Sequence, residues 1–313
     1  TMKPTATPTC PSNLHVSPSS PASVALPLRE RVEQKFFVHP SREALALALL
    51  RRTCREDEEH PVGQVNSLYF DTADLEQHGR SAAGEYTKDK VRIRWYGEEH
   101  DPHRNNGGAA PPASEAARIW LELKSRRGFS STKQRVEMNV PAAALGRRAL
   151  ARGVVSPATV VQTMAGFGFF ARARLCPVIA ISYWRYRFVE PLTGFRICID
   201  SRVRSTVVMP GIGRGERGLE LPGAVVEVKG PVFDVPPSLR EIVEIGSSWT
   251  RYSKYSACLD GHEAPQGSVS RLWPSGVMDV APGVLTRFDS NGEASGVRRA
   301  EMASRSAEGY ETE

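Results

Sequence analysis

The sequence predicts an α+β fold, an eight-stranded antiparallel β-barrel with flanking helices. Three observations carry this expectation. Eight segments alternate apolar and polar residues with a period of two, the signature of strands with two unlike faces. Three segments between them carry apolar residues at helical spacing. On nearly every strand the polar face is charged, and mostly basic.

In chain order, residues 1–27 (with PTATPTCPSN and SPSSPAS) hold too little apolar surface to offset chain entropy and are predicted to be a disordered tail. The folded domain is expected over 28–260. Its strands are placed at 30–38, 64–70, 88–96, 118–125, 133–140, 178–189, 194–200 and 224–230, enough to close a barrel. Helices are placed at 41–56, with Ser41 as cap, near 156–170 and near 236–246. Segment 97–117 has no usable periodicity and reads as a flexible insertion between two strands. From 261 to 313 the chain returns to Gly, Ser, Pro and charge, apart from a few apolar residues such as Leu272 and Trp273, and reads as a mostly disordered tail.

The net charge of +6 allows an anionic partner without requiring one. Five widely spaced cysteines lack any CxxC pair or metal-finger spacing, as expected of a reduced, cytoplasmic protein. No apolar run approaches the length of a membrane span, and the N-terminus lacks a signal-peptide core.

Because side chains two apart share a strand face, Glu33 and Lys35 point together. So do Lys90, Arg92 and Arg94; Glu122 and Lys124; Lys133, Arg135 and Glu137; Arg185 and Arg187; Arg196 and Asp200; Glu227 and Lys229. That face carries eleven Lys or Arg against five Asp or Glu, opposite a face of Val, Ile, Leu, Phe and Trp. With the apolar face packed outward on helices, the charged face lines the barrel, where unpaired charges would cost on the order of several kcal/mol each. Water and a bound polyanion would supply partners, and alternating Arg and Lys suits a row of phosphates. The plainer alternative is the solvated side of an open sheet.

Glu33, Glu122 and Glu227 would weaken anion binding unless a hard cation such as Mg²⁺ or Mn²⁺ stands between them and the phosphates. Each could instead neutralise a neighbouring cation; Glu227 is read as a metal ligand, Glu33 and Glu122 as either. Tyr69 reads as packing and Asp71 as a turn or ion-pair residue. Trp95, Trp120 and Trp184 read as wall aromatics, with stacking on adenine as the alternative. The histidines His39, His60, His78, His100, His103 and His262 fall in loops or at element edges. A nucleic-acid binder is disfavoured: no RNP-type, KH or zinc motif is present, and the basic residues alternate with acids.

The segments RVEQKFFV, NSLYFDT, KVRIRWY, LELK, KQRVE, YWRYRF, FRICID, VVEVKG and RYSKY, in this order over residues 29–260, resemble the catalytic domain of the vacuolar transporter chaperone polyphosphate polymerases, within the triphosphate tunnel metalloenzyme superfamily. The resemblance implies an eight-stranded tunnel that transfers the γ-phosphate of ATP to a growing polyphosphate chain with Mn²⁺ or Mg²⁺. It implies Lys35, Arg92, Arg94, Lys124, Arg185 and Arg196 as phosphate-binding lining and Glu227 as the metal-binding glutamate. The resemblance also places Ser253 and Lys254 on a terminal helix that closes one end of the tunnel, with Arg251 at a position the family usually keeps basic. Lys90, Lys133, Arg135, Arg187 and Lys229 complete the lining, and Glu33 and Glu122 the candidate metal ligands. Arg31 stands where the superfamily's hydrolases carry the first Glu of a Glu-x-Glu-x-Lys strand, which favours polymerase over triphosphatase. A polyphosphate or inositol-polyphosphate sensor is the non-catalytic alternative. Any translocation would need a separate membrane partner.

Overall fold

Period-two alternation builds one antiparallel sheet whose apolar face is covered by helices and whose charged face is concave. The structure, a computed structural model, describes residues 32–97, 116–128, 130–212, 218–248, 252–263 and 286–288. Tail 1–27, Arg31, Arg251, the insertion apart from Gly97, Ala116 and Ala117, and most of 261–313 lie outside the described residues. In chain order the elements are β1 (Val32–Val38), α1 (Glu43–Thr53), β2 (Arg55–Glu56), β3 (Val62–Asp71), α2 (Glu76–Ala82), β4 (Thr87–Tyr96), β5 (Ala116–Arg127), β6 (Ser130–Pro141), α3 (Arg147–Leu150), α4 (Pro157–Gly166), β7 (Cys176–Val189), β8 (Arg196–Val207), β9 (Gly218–Leu221), β10 (Ala224–Gly230), α5 (Arg240–Ile245), β11 (Gly246–Ser248), α6 (Lys254–Glu263) and β12 (Thr286–Phe288).

All eight expected strands are present, but the expected closure is not. The hydrogen-bonded order is β11-β1-β10-β8-β7-β3-β4-β5-β6, with β9 joined to β8 and β12 to β9. Among the described residues β6 pairs only with β5, so the ladder stays open. The physical reason lies at both edges. β11 occupies the outer edge of β1 at Phe36–Val38, and β6 is exposed along most of its length and carries Lys133 and Arg135, charges that discourage edge pairing. The sheet is nonetheless curved enough that β5 faces β1 across the concavity, with Lys124 Nζ 3.5 Å from Glu33 Oε2.

Two apolar layers hold the outer face. Phe36, Val38, Ile197, Ile199, Val226 and Val228 pack under Leu49 and Leu50 of α1 and Ile242 of α5. Leu68, Val91, Ile93, Ile119 and Leu121 pack under Val160 and Met164 of α4, whose N-terminus is capped by Ser156 accepting from the Thr159 amide at 3.1 Å. Ser41 does not cap α1 as expected; it lies inside a 3₁₀ turn, Pro40–Arg42, its amide donating to His39 Nδ1 at 3.2 Å, and α1 starts two residues later.

The third layer lies inside the curve. Helix α6 is buried nearly all round against Phe37, Tyr69, Ile181, Val203, Leu219 and Val225, filling one end of the concavity. Periodicity could not reveal it, because a helix buried on every side has no polar face to contrast with an apolar one. Gly261, a poor helix former, fits there because a Cβ would come 2.6 Å from Leu219 Cδ2. On β8 an extra residue at Arg202, with φ 49°, shifts the register against β7. Cys198 and Asp200 therefore face inward on one side of the bulge, and Val203 and Ser205 face α6 on the other. Bulge and helix together divide the concave face into an apolar end and a charged end.

Leu50, fully buried between α1 and the sheet, supplies a test of this layering. Leu50→Ala should lower the unfolding free energy by about 2–5 kcal/mol in urea titrations followed by circular dichroism; an unchanged midpoint would mean that α1 does not pack on β1, β8 and β10.

Candidate functional site: a cation-lined concave face

The charged end is built from β1, β10, β8, β7, β3, β4, β5 and the start of α6. Its first cluster centres on two carboxylates. Asp200 accepts from Arg185 Nε at 2.6 Å and Nη2 at 2.7 Å, a bidentate pair, and also pairs with Lys254. Glu227 accepts from Lys229 at 2.8 Å, Lys254 at 3.1 Å and Arg185 at 3.2 Å. Tyr183 supports this cluster: Lys254 Nζ lies 4.8 Å and Arg185 Cζ 5.4 Å from its ring centroid.

A second cluster surrounds Glu122, fully buried, with Arg92 at 2.8 Å, Lys133 at 2.6 Å and Arg94 at 4.0 Å. Arg92 also donates to the Tyr69 hydroxyl at 3.1 Å, and Arg94 to the Tyr183 hydroxyl at 3.3 Å. Glu33 links the clusters, 3.5 Å from Lys124, 3.7 Å from Lys229 and 3.9 Å from Lys35. Two lysines reach toward α6: Lys35 donates to the Tyr252 carbonyl at 3.0 Å and Lys90 to Ser253 Oγ at 2.8 Å. Lys90 has no carboxylate partner among the described residues.

Lys35, Lys90, Arg92, Arg94, Lys124, Lys133, Arg185, Lys229 and Lys254 thus share one concavity with Glu33, Glu122, Asp200 and Glu227. Positive charge exceeds negative in a partly desolvated space. The titration behaviour reflects the imbalance. Burial would push the Glu122 and Glu33 carboxyls up, but Arg92, Arg94 and Lys133 around the first, and Lys124, Lys35 and Lys229 around the second, hold both down at about 2. Against the same effect of burial, Lys229, Lys254 and Arg185 keep Glu227 well below the usual range, and Arg185 and Lys254 lower Asp200. Lys90 and Lys124 are also lowered, which for them favours the neutral form. Burial, then repulsion from Lys35 and Lys124, pulls Lys90 well below its ordinary value. Lys124 falls to about 8 through burial, which with Lys35 and Lys229 outweighs Glu33 and Glu227.

Other expected residues lie apart. Arg187 donates to the His60 carbonyl at 3.0 Å, and Arg135 and Arg196 are exposed at the rim. Glu33, Glu122 and Glu227 do not converge on one point. Glu227 instead meets Asp200 and Cys198, ligand atoms within 4.8 Å of one another; the other such group among the described residues is His78, Asp260 and Glu263, at the α2–α6 contact. Asp71 is a turn residue: its oxygens accept from the Thr72, Gln77 and His78 amides, fixing the start of α2, and from the Tyr255 hydroxyl of α6 at 2.7 Å. Tyr69 packs, stacked on Tyr255 at 5.1 Å. His78 lies in the first turn of α2, and His262 lies at the C-terminal edge of α6, as expected, facing Ser205 at 3.1 Å. Tyr183 and Cys198 had been missed as site neighbours, although each stands two residues from a charged residue of the lining.

Among the described residues no helix is long and apolar enough to cross a membrane. The family model described as the VTC domain matches residues 30–260. No match to a curated protein was found. Similar solved structures include a candidate adenylate cyclase from Bacillus halodurans (TM-score 0.39, 13% identity, covering 69% of this chain and 89% of that one). Another is a candidate adenylyl cyclase from Hippeastrum with a dominant triphosphatase activity (TM-score 0.37, 16% identity, 75% and 98%). Neither likeness is close enough to carry an argument about chemistry.

Lys124 gives the lining a pH dependence of definite sign. Between about 8 and its ordinary 10.5 the folded state binds fewer protons at this site than the unfolded chain, so the group's contribution to stability rises with pH there. A bound polyanion needs the ammonium form, so it should stabilise less above pH 8. Tripolyphosphate should therefore raise Tm more at pH 7 than at pH 9, and Lys124→Gln should shrink the difference; equal shifts at both pH values in the wild type would contradict the assignment.

Proposed function

Because the chain belongs to the VTC domain family, we propose that it is an ATP-dependent polyphosphate polymerase, a phosphotransferase that moves the γ-phosphate of ATP onto a polyphosphate chain lying along the concave face. The observation that carries the reading is the surplus of inward-facing cations, with Lys90 desolvated and lacking a carboxylate partner among the described residues. Such a surface gains stability from a multiply charged anion, and phosphate oxygens match the donors of Arg and Lys.

The reaction needs positioning and charge stabilisation more than acid–base chemistry. A terminal oxygen of the chain, already ionised, bonds to the γ-phosphorus while the bond to the bridging β,γ-oxygen breaks, and ADP leaves with that electron pair. No proton has to move. The carboxylates suit this. Each is paired with cations and held in its ionised, weakly basic form, poor for deprotonating water but no hindrance to an anionic nucleophile. That favours transfer over hydrolysis.

In this reading Lys35, Lys90, Arg92, Arg94 and Lys124 hold one run of phosphates, and Arg185, Lys229 and Lys254 the other. Ser253 fixes Lys90. Arg187 and Arg196 attract the chain at the rim. A divalent cation, Mn²⁺ or Mg²⁺, would be held by Glu227 with Asp200, whose oxygens converge, and when bound it neutralises charge on phosphate oxygens. Cys198 fits poorly as a ligand for a hard cation, since burial pushes its thiol up to about 11. Glu33 and Glu122 neutralise the lysines and arginines around them.

Purified protein incubated with ATP and Mn²⁺ should yield a ladder of polyphosphate on stained gels, with ADP released in proportion. Free phosphate alone would make it a hydrolase, and tight polyphosphate binding without ATP loss a sensor. Lys35→Ala and Arg94→Ala should each lower kcat by about a hundredfold or more with the circular dichroism spectrum unchanged, and Glu227→Gln should raise the metal concentration required. Wild-type turnover in both lysine and arginine variants would remove these two residues from the site.

A further inference from the structure

At the mouth opposite α6 aromatic rings join the charged rows. Along β4 the sequence of inward residues Lys90, Arg92, Arg94 continues with Tyr96, and along β5 the row Lys124, Glu122 continues with Trp120. The two-residue period puts both rings on the face of the lining, one step beyond Arg94 and Glu122, with the Arg118–Glu137 ion pair flanking Trp120 on its outer side. The rings touch, with centroids 5.2 Å apart at 67°. Arg135, which pairs with Glu122 in the register of β5 and β6, lies with Cζ 5.9 Å from the Trp120 centroid.

The other strand tryptophans differ. Trp95 packs against the apolar layer under α4 and Trp184 against the one under α1, so each has the wall role that its pattern suggested. Trp120 shares the face of Glu122 instead. Tyr96 keeps 43% of its surface exposed, although a strand end with no ligand to meet would present a polar side chain at lower cost. Its hydroxyl lies close enough to Arg94 and Lys133 that, against the effect of burial, its pKa is lowered, which ties the ring to the last phosphate-binding residues of the row.

A nucleoside triphosphate has a polyanionic end and a flat aromatic end, and this face presents cations followed by two rings in edge-to-face contact and a guanidinium in the same order. We propose that Tyr96 and Trp120, with Arg135, form the seat of the substrate's nucleobase, so that the nucleotide enters with its triphosphate pointing toward α6 and its base at the rim. The proposal rests on the reading of the lining as a phosphate site. Because ring faces stack on any base, the seat separates nucleotides from inorganic polyphosphate more than one base from another.

The test compares ATP with inorganic tripolyphosphate, which has the charge and lacks the base. Calorimetric binding of both, without added metal, to the wild type and to Trp120→Leu, Tyr96→Ala and Tyr96→Phe separates the roles. Trp120→Leu and Tyr96→Ala should weaken ATP about tenfold and leave tripolyphosphate within about twofold, while Tyr96→Phe, which keeps the ring, binds ATP as the wild type does. Unchanged ATP affinity in the first two variants overturns the proposal. So does an equal loss of both ligands, which would mean that the rings only support the lining. A wild-type protein that binds neither ligand would overturn the phosphate site itself, and the base seat with it.

Discussion

The structure depends on one constraint: like charges are gathered on the inner face of a curved sheet and must be kept from expelling one another. Four carboxylates meet it in part. Each is shared among two or three cations, so that Asp200 and Glu227 bind the Arg185, Lys229 and Lys254 cluster, Glu122 binds Arg92 and Lys133, and Glu33 joins the two groups. Removing one member of such a group leaves its buried partners less fully compensated. The balance is deliberately incomplete on the positive side, and that remainder is what an anion would meet.

Helix α6 makes the concavity one-ended. Its buried residues supply the apolar plug against β3, β7, β8, β9 and β10, and its first turn carries Lys254 into the cluster around Glu227 and Asp200. The same helix is tied to the wall opposite through Tyr255, whose hydroxyl donates to Asp71, the residue that also anchors α2. Packing and electrostatics are therefore coupled: a shift of α6 would move an ammonium group among the carboxylates as well as open the core. The bulge at Arg202 belongs to the same arrangement, since without it the inward row of β8 would carry charge into the region that α6 fills.

The chemistry follows from what such a lining does well. Fixed cations in a space of reduced solvation stabilise spreading negative charge without reorganising, while carboxylates held ionised by their neighbours make poor proton acceptors. An anionic nucleophile and an anionic leaving group suit these properties together. In the proposed reading, the gradient from ammonium and guanidinium groups near α6 to aromatic rings at the mouth gives the face a direction, from phosphate to base.

Much of this was determined locally and was legible in the sequence. The eight long strands and three of the helices were found, because one face of each contrasts with the other, and the charged rows were assigned to the concave side for the same reason. Closure was not legible: a period of two fixes which way a side chain points but not whether β6 reaches β1, and it was β11 on the edge of β1 that kept the ladder open. Nor was the pairing of the carboxylates. Glu227 was singled out in the sequence over Glu33 and Glu122, but its meeting with Asp200 and Cys198 was not, because that depends on β8 lying beside β10 in the sheet order. Helix α6 lacked any periodic signal, being buried on all sides. Sequence patterning set the faces through local geometry; which faces meet, and therefore which charges share a site, depended on sheet order and curvature, which are properties of the whole chain.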